Sequence, residues 1–312
     1  MKCDLCGFQK YQKISDHTRY VKNDVLKCLN CSLVFLGHMK DKKGSIKYYR
    51  KDYRTKNSFP VQTPQEHFKD SLSKKDAADR LWWITSYLRR KGAKVLEIGS
   101  ASGKLLKAMK DYGLEVAGVE ITKAYVTFSK TKLGLKVFDK PLEELGLNKQ
   151  FDLIVSFHCM EHLRNPQETF GAIQKALKPG GIFMGEVPNQ DDWRISIFEN
   201  QAVKRFHYDP DHNFYFSPKT LTAYLEKNAF TIKTLESVER YGTLLQLQRI
   251  MSGQYDQPIE KILTRDIYAK AKTDIRVNRI YNAREKLFDG LLAQAVNSKL
   301  LGNCLRWVAA KQ

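Results

Sequence analysis

One stretch constrains this chain more than any other: Val95-Leu96-Glu97-Ile98-Gly99-Ser100-Ala101-Ser102-Gly103. A short apolar strand delivers one carboxylate and stops at a run of small residues. From Lys104 to about Tyr112 the pattern turns helical. Gly99 and Gly103 accept φ > 0 and let a ligand approach the main chain. The N–H groups that open the following helix then face that ligand. Such a strand–turn–helix implies an open parallel sheet, which binds ligands beyond the carboxyl ends of its strands, where the strand order reverses.

The alternation continues downstream. Val116–Glu120, Lys136–Val137–Phe138, Phe151–Ser156 and Gly181–Val187 read as strands. Residues 122–132 and 166–177 read as helices, the second stopping at Lys178-Pro179-Gly180-Gly181. Strands separated by helices give a parallel sheet with helices on both faces. Residues 64–91 suggest a helix, with Leu81, Ile84 and Leu88 at helical spacing and Trp83 and Tyr87 beside them. Residues 37–63 read as a basic connector. Thr220–Lys227 reads as a helix, Thr231–Glu236 as a strand, and 258–300 as mostly helical.

Six cysteines divide into two pairs, Cys3-x2-Cys6 and Cys28-x2-Cys31, and the lone Cys159 and Cys304. Two such pairs 21 residues apart fit a tetrahedral zinc site of four thiolates. With no open position, its role would be structural. No apolar run approaches the roughly 18 residues of a membrane span, and the N-terminus lacks an apolar signal core, so the expected location is cytoplasmic. Net charge is +19. It is concentrated at the front, where residues 1–90 hold 20 Lys/Arg against 9 Asp/Glu. That field favours an anionic acceptor, RNA or an anionic membrane surface. Oligomeric state is left open.

These blocks together resemble the class I S-adenosylmethionine-dependent methyltransferases. "VLEIGSASGKLL" is similar to that family's first motif and "VAGVE" to its ribose-binding acid. "FDLIVSFHCMEHLRNP" is similar to its fourth-strand motif, "ALKPGGIFMGEVPN" to the next helix–turn–strand, and "HNFYFSPKTLTAYLEKNAF" to the segment before its last strands. The resemblance covers about residues 93–236 and departs at Ala101, where the family often has glycine. It implies a Rossmann-like α/β sheet over residues 92–250, after a zinc module (1–40) and a basic connector and helix (41–91), with a helical extension (251–312). It also implies that Glu97 supports the methionine amine. Gly99, Ser100, Ala101, Gly103 and Ile121 would line the cofactor, Glu120 would hold the ribose, Leu142 and Glu143 would flank the adenine, and Phe157 and His158 would lie beside the sulfonium. His158, Glu161 and His162 follow the fourth strand. His158 and His162, four apart, share a face of any helix there. Either can act as general base for a hydroxyl acceptor, while Glu161-His162 also suits a helix anchor.

The acceptor is read from layout. Zinc pairs, "YYRKDYR" and the segment "ERYGTLLQLQRIMSGQYDQP" resemble methyltransferases of surface-polysaccharide and sugar biosynthesis. The expected product is therefore a sugar, nucleotide-sugar or glycan methylated on oxygen. The alternative is RNA. Residues 40–56 hold eight Lys/Arg with Tyr48, Tyr49 and Tyr53 interleaved, a pattern suited to phosphates and stacked bases.

Overall fold

The computed structural model describes residues 2–19, 21–51, 53, 63–88, 90–197, 201–240, 246, 250 and 290–312. In chain order, the first three strands are β1 (Tyr11–His17), β2 (Lys22–Cys28) and β3 (Val34–Leu36). Helices α1 (Lys42–Lys51), α2 (Pro64–Lys69) and α3 (Ser71–Tyr87) follow. The alternating core runs β4 (Lys94–Ile98), α4 (Lys104–Tyr112), β5 (Glu115–Val119), α5 (Lys123–Leu133), β6 (Lys136–Phe138), β7 (Phe151–Phe157), α6 (Pro166–Ala176) and β8 (Leu177–Pro188). Then come α7 (Trp193–Ser196), α8 (Gln201–His207), β9 (Phe214–Tyr215), α9 (Pro218–Lys227), β10 (Phe230–Val238) and β11 (Cys304–Lys311).

The chain forms two compact units. One comprises Met1–His38, Pro188–Thr220 and Leu235–Arg306; the other comprises Met39–Val187, Leu221–Thr234 and Trp307–Gln312.

The larger sheet has seven strands in the order β10-β11-β8-β7-β4-β5-β6. Strands β4 to β8 pair in parallel, with Val95 opposite both Val116 and Leu153. Central strands are covered on both faces, so they read as apolar runs rather than alternating ones. Val95, Leu96, Leu153, Ile154 and Val155 are accordingly fully buried. The chain winds outward from β4 through β5 to β6, then returns to lay β7 on the other side of β4. The reversal point is thus the gap between the carboxyl ends of β4 and β7.

Three sequence expectations change: the helix read over 64–91 is broken at Asp70, whose extended backbone ends α2 before α3 begins. The basic connector contains a helix, α1, and a capping box then opens α2: the Thr63 hydroxyl accepts from the Glu66 N–H and the Glu66 carboxylate accepts from the Thr63 N–H. Dense lysines hid α1, because its inward stripe is completed by polar Lys42 and Ser45. The helical reading of the tail also needs correction. Residues 290–298 are helical, but Cys304–Lys311 is a strand between β10 and β8. Its Trp307 packs against Phe183 at 5.4 Å between ring centroids. Strand formation there is decided by two waiting sheet partners and not by local propensity. The helix expected across 251–289 lies outside the described residues.

In the first unit, β1 and β2 form a hairpin, β3 adds to β2, and β9 adds to β3 with Val34 opposite Tyr215. Residues that follow β8 therefore complete the sheet begun by the cysteine module. Nearby, Arg19 lies 4.1 Å over the Phe206 ring and pairs with Asp209 at 3.1 Å. His207 packs against Tyr208 and Tyr215, and its Nε2 is buried without a hydrogen-bond partner.

Burial strips water from the His207 ring and pushes its pKa down to about 4; Arg194 and Arg19 add repulsion against the attraction of Asp192. The folded state thus keeps this imidazole neutral where the unfolded chain protonates it. Stability is fully present above the ordinary histidine range near 6.5 and falls as pH drops toward about 4. Urea melts between pH 7 and 4.5 should lose on the order of 2 kcal/mol to this group, and His207→Gln should flatten that slope.

Candidate active site

A cleft opens at the carboxyl ends of β4, β5 and β7. Its floor is Ile98, Gly99, Ala101, Val119, Glu120, Ile121 and Thr122. One side is formed by Leu142, Glu143 and Thr169, and another by His158, Cys159, His162 and Leu163. Lys42, Ser45, Ile46, Tyr49 and Tyr53 complete the wall. Their spacing of three and four residues makes one helical face.

The loop after β4 is fixed by backbone bonds. The N–H groups of Gly99 and Ser100 both donate to the Val119 carbonyl, at 2.8 and 3.1 Å. Gly99 has φ +76°, and a Cβ built there would stand 2.9 Å from the Cβ and Sγ of Cys159. Glycine is therefore required twice, by torsion and by contact. Ala101 is also left-handed, at φ +43°, which costs an L-residue energy that glycine avoids.

Two carboxylates stand beneath this loop. Glu120 accepts from the Ala101 N–H at 2.9 Å with one oxygen and from the Thr122 N–H at 2.7 Å with the other. It ties the β4 loop to the end of β5 and still faces the cleft. Glu97 is 5% exposed, and its Oε2 is buried without a hydrogen-bond partner. Burial pushes its carboxyl up to about 8, with Arg80 opposing and Glu120 adding to the rise. An orphaned acid in such a setting suits a cationic ligand group.

Beyond β7 the chain turns sharply, with His158 at φ +50° and a short 3-10 turn over Met160–His162. His158 sits between two buried acids. Its Nε2 is 2.7 Å from Glu186 Oε1, and its Nδ1 is 3.5 Å from Glu161 Oε1. Arg80 approaches the same Glu186 oxygen at 3.7 Å and lies over the Phe157 ring. His162 meets a different partner: its Nδ1 is 3.1 Å from the Tyr49 hydroxyl.

Of the residues singled out from the sequence, Gly99, Ala101, Glu120, Ile121, Leu142, Glu143, His158 and His162 line this one cleft. Glu97, Ser100 and Phe157 are buried in its surround, as is Glu161 at 1% exposure. Gly103 starts α4 at φ +73°. Sequence reading missed the α1 face, Arg80 and Glu186. The 42/45/46/49/53 spacing was a usable signal for the first. Nothing local announces Glu186, whose partner His158 is 28 residues away.

The four N-terminal cysteines converge. Cys3 and Cys31 sulfurs are 3.5 Å apart, Cys6 and Cys28 sulfurs 3.6 Å, and all four lie within 4.8 Å of one another. None is in a disulfide. A tetrahedral zinc with bonds of about 2.3 Å would set its sulfurs about 3.8 Å apart, so this donor set fits the ion. The 21-residue spacer is spent on the β1–β2 hairpin, whose register sets Cys28 opposite Tyr11 and returns it toward the first pair. Each pair is followed by a left-handed residue, Gly7 at φ +76° and Ser32 at φ +69°.

Residues 72–235 match the family model described as a methyltransferase domain. The chain is 32% identical over 120 residues to the ubiquinone biosynthesis O-methyltransferase of Azoarcus sp. (strain BH72), covering 36% of this chain and 51% of that protein. It thus spans about half the length of that relative. It is 24% identical over 167 residues to the enzyme of the same name from Stutzerimonas stutzeri (strain A1501), covering 50% of this chain and 72% of that one. Among solved structures it is similar to a SAM-dependent methyltransferase from Archaeoglobus fulgidus, with TM-score 0.51, 21% identity, and coverage of 79% and 97%. That likeness is one of fold. These relatives are named for ubiquinone and not for a sugar, and the family match begins after the cysteine module.

The loop geometry predicts opposite outcomes at neighbouring positions. Gly99→Ala should destabilise the protein by about 1–3 kcal/mol in thermal melts through the Cys159 clash and torsion. Ala101→Gly should escape the usual glycine cost of about 0.5–1 kcal/mol, because it releases left-handed strain. A full loss at Ala101 would show that the strain is absent.

Proposed function

The chain belongs to the methyltransferase-domain family, and from that premise we propose that its cleft holds S-adenosylmethionine and passes the methyl group to a hydroxyl oxygen. The observation that carries this reading is the pair of acids under the glycine loop. Glu97 is an orphaned buried carboxyl suited to the cofactor's cationic amine. Glu120 keeps acceptor capacity on both oxygens for ribose hydroxyls after taking one N–H each. Leu142 supplies an apolar side for the adenine.

When bound, the cofactor supplies an electrophilic methyl carbon on a sulfonium. The chain's residues must then orient the acceptor oxygen and accept its proton. His162 lines the cleft and is our general base. His158, engaged by two buried acids, holds the turn that presents it. Oxygen as the acceptor atom agrees with the names of the O-methyltransferase relatives. We favour a ring-bearing acceptor, since Tyr49, Tyr53 and His162 line the cleft together. One reading is a sugar hydroxyl, which the resemblance of the cysteine-module layout to sugar-modifying methyltransferases implies; the second is a phenolic hydroxyl, proposed because the relatives are named for O-methylation in ubiquinone biosynthesis. Against RNA, Tyr49 and Tyr53 pack on His162 at 5.8 Å each. That takes two of the three interleaved tyrosines into the cleft wall. We also propose that Cys3, Cys6, Cys28 and Cys31 hold one structural zinc. No helix among the described residues is long and apolar enough to cross a membrane.

Calorimetry tests the cofactor site. At pH 7 the Glu97 carboxyl, held at about 8, is mostly protonated. Binding a cationic amine should therefore release about one proton, seen as a dependence on buffer ionisation heat, and affinity should rise from pH 6 to 8. Glu97→Gln should abolish the release, and Glu120→Ala should lose binding at least tenfold. Tight NAD binding without S-adenosylmethionine binding sinks the reading. A panel of nucleotide sugars against catechols then separates sugar from phenol.

Metal analysis of protein purified without added metal should give one zinc per chain. Chelation or Cys3→Ser should lower the melting temperature, and zinc should restore it only in the chelated wild type. Full stability after complete removal excludes a structural ion.

A further inference from the structure

We propose that Tyr49 is a catalytic residue of this cleft: its hydroxyl takes the proton of the acceptor hydroxyl while passing its own to His162. The inference rests on the oxygen-transfer reading and adds a group outside the methyltransferase motifs. Tyr49 lines the cleft, and its hydroxyl is 3.1 Å from His162 Nδ1. The phenol can donate to that nitrogen and accept from an acceptor O–H at the same time.

The hydroxyl is held in place from several directions. Helix α1 is pinned at its start by Lys42, which reaches Glu143 at 3.2 Å and Glu168 at 2.8 Å. At its end, the Arg50 guanidinium donates to the Asp139 carbonyl at 3.1 Å, and the Thr122 hydroxyl donates to the Tyr49 carbonyl at 3.0 Å. The Tyr49 ring packs on Tyr53 at 4.8 Å and on His162 at 5.8 Å. Thr122 directly follows the Glu120–Ile121 floor of the cofactor cleft. One helix is thus anchored to the cofactor side while carrying the proton-accepting group. His158, the other histidine of the cleft, is hydrogen-bonded through Nε2 to the buried Glu186 and has Glu161 3.5 Å from its Nδ1, which suits a holding role.

The acceptor oxygen forms a bond to the methyl carbon as the carbon–sulfur bond breaks, and that electron pair stays on sulfur. The acceptor proton moves to the Tyr49 oxygen, and the Tyr49 proton moves to His162 Nδ1. The pair ends as neutral tyrosine and imidazolium. No free tyrosinate forms, so the step does not require ionising a phenol, a group whose ordinary pKa is about 10.

The test uses the full chain in single-turnover methyl transfer with the best hydroxyl acceptor from the panel. Tyr49→Phe keeps the ring packing and removes the relay oxygen. Its rate should fall about 100-fold, with S-adenosylmethionine affinity and acceptor KM within about twofold of wild type. His162→Gln should cost a similar factor, and the double variant little more than either alone, as expected of groups acting as a unit. In mixed H2O–D2O the wild-type rate should curve with deuterium fraction and become linear in Tyr49→Phe. A Tyr49→Phe rate within twofold of wild type, or losses that multiply with His162→Gln, overturns the relay and leaves the oxygen-transfer reading intact. A wild type that methylates amines and no hydroxyl overturns that reading and the relay with it.

Discussion

Glu120 joins two pieces of backbone that the sheet alone would leave apart. One oxygen holds the Ala101 N–H of the glycine loop, and the other holds the Thr122 N–H where α5 begins. Because the loop is pinned, Gly99 can sit against Cys159 with no room for a Cβ. Because the end of β5 is pinned, Thr122 can reach the α1 carbonyl above it. A short-range charge-assisted contact thus sets the floor of the cleft, and the cleft wall is referenced to that floor.

Electrostatics then divides the labour among the acids. Burial leaves Glu97 reluctant to ionise, which suits a group that meets a cationic ligand. Glu161 and Glu186 are buried as deeply but have His158 between them, and Arg80 also approaches Glu186. Burial, with the Glu161, Glu120, Glu143 and Glu97 carboxylates adding to it, pushes the Cys159 thiol up, so a cysteine in the cleft stays an inert packing group. The arrangement is costly to hold, and it is built where β4 and β7 diverge.

The parts of the site differ in how well the sequence announced them. Glu97, Gly99 and Glu120 were legible because strand period, turn chemistry and a carboxylate at a strand end act over a few residues. The cysteine cage was legible for the same reason: each knuckle is a four-residue object, and the spacer need only form a hairpin. Helix α1 was obscured in part, since its face toward the cleft opens on the partly exposed Lys42 and on Ser45, and a purely hydrophobic pattern registers only Ile46 and Tyr49 of that face.

Sequence by itself determined the doubly wound sheet, the glycine loop with its two acids, and the four-cysteine module, because these follow from local periodicity and backbone torsion. Only the tertiary structure decided that Cys304–Lys311 is a strand, that β9 joins the sheet of the cysteine module, and that Tyr49 meets His162. Each of these depends on partners far away in the chain, such as Val34 with Tyr215, 181 residues apart, and Tyr49 with His162, 113 apart. Their pairing energy is set by which surfaces remain to be covered once the local elements exist, and local pattern carries no record of that.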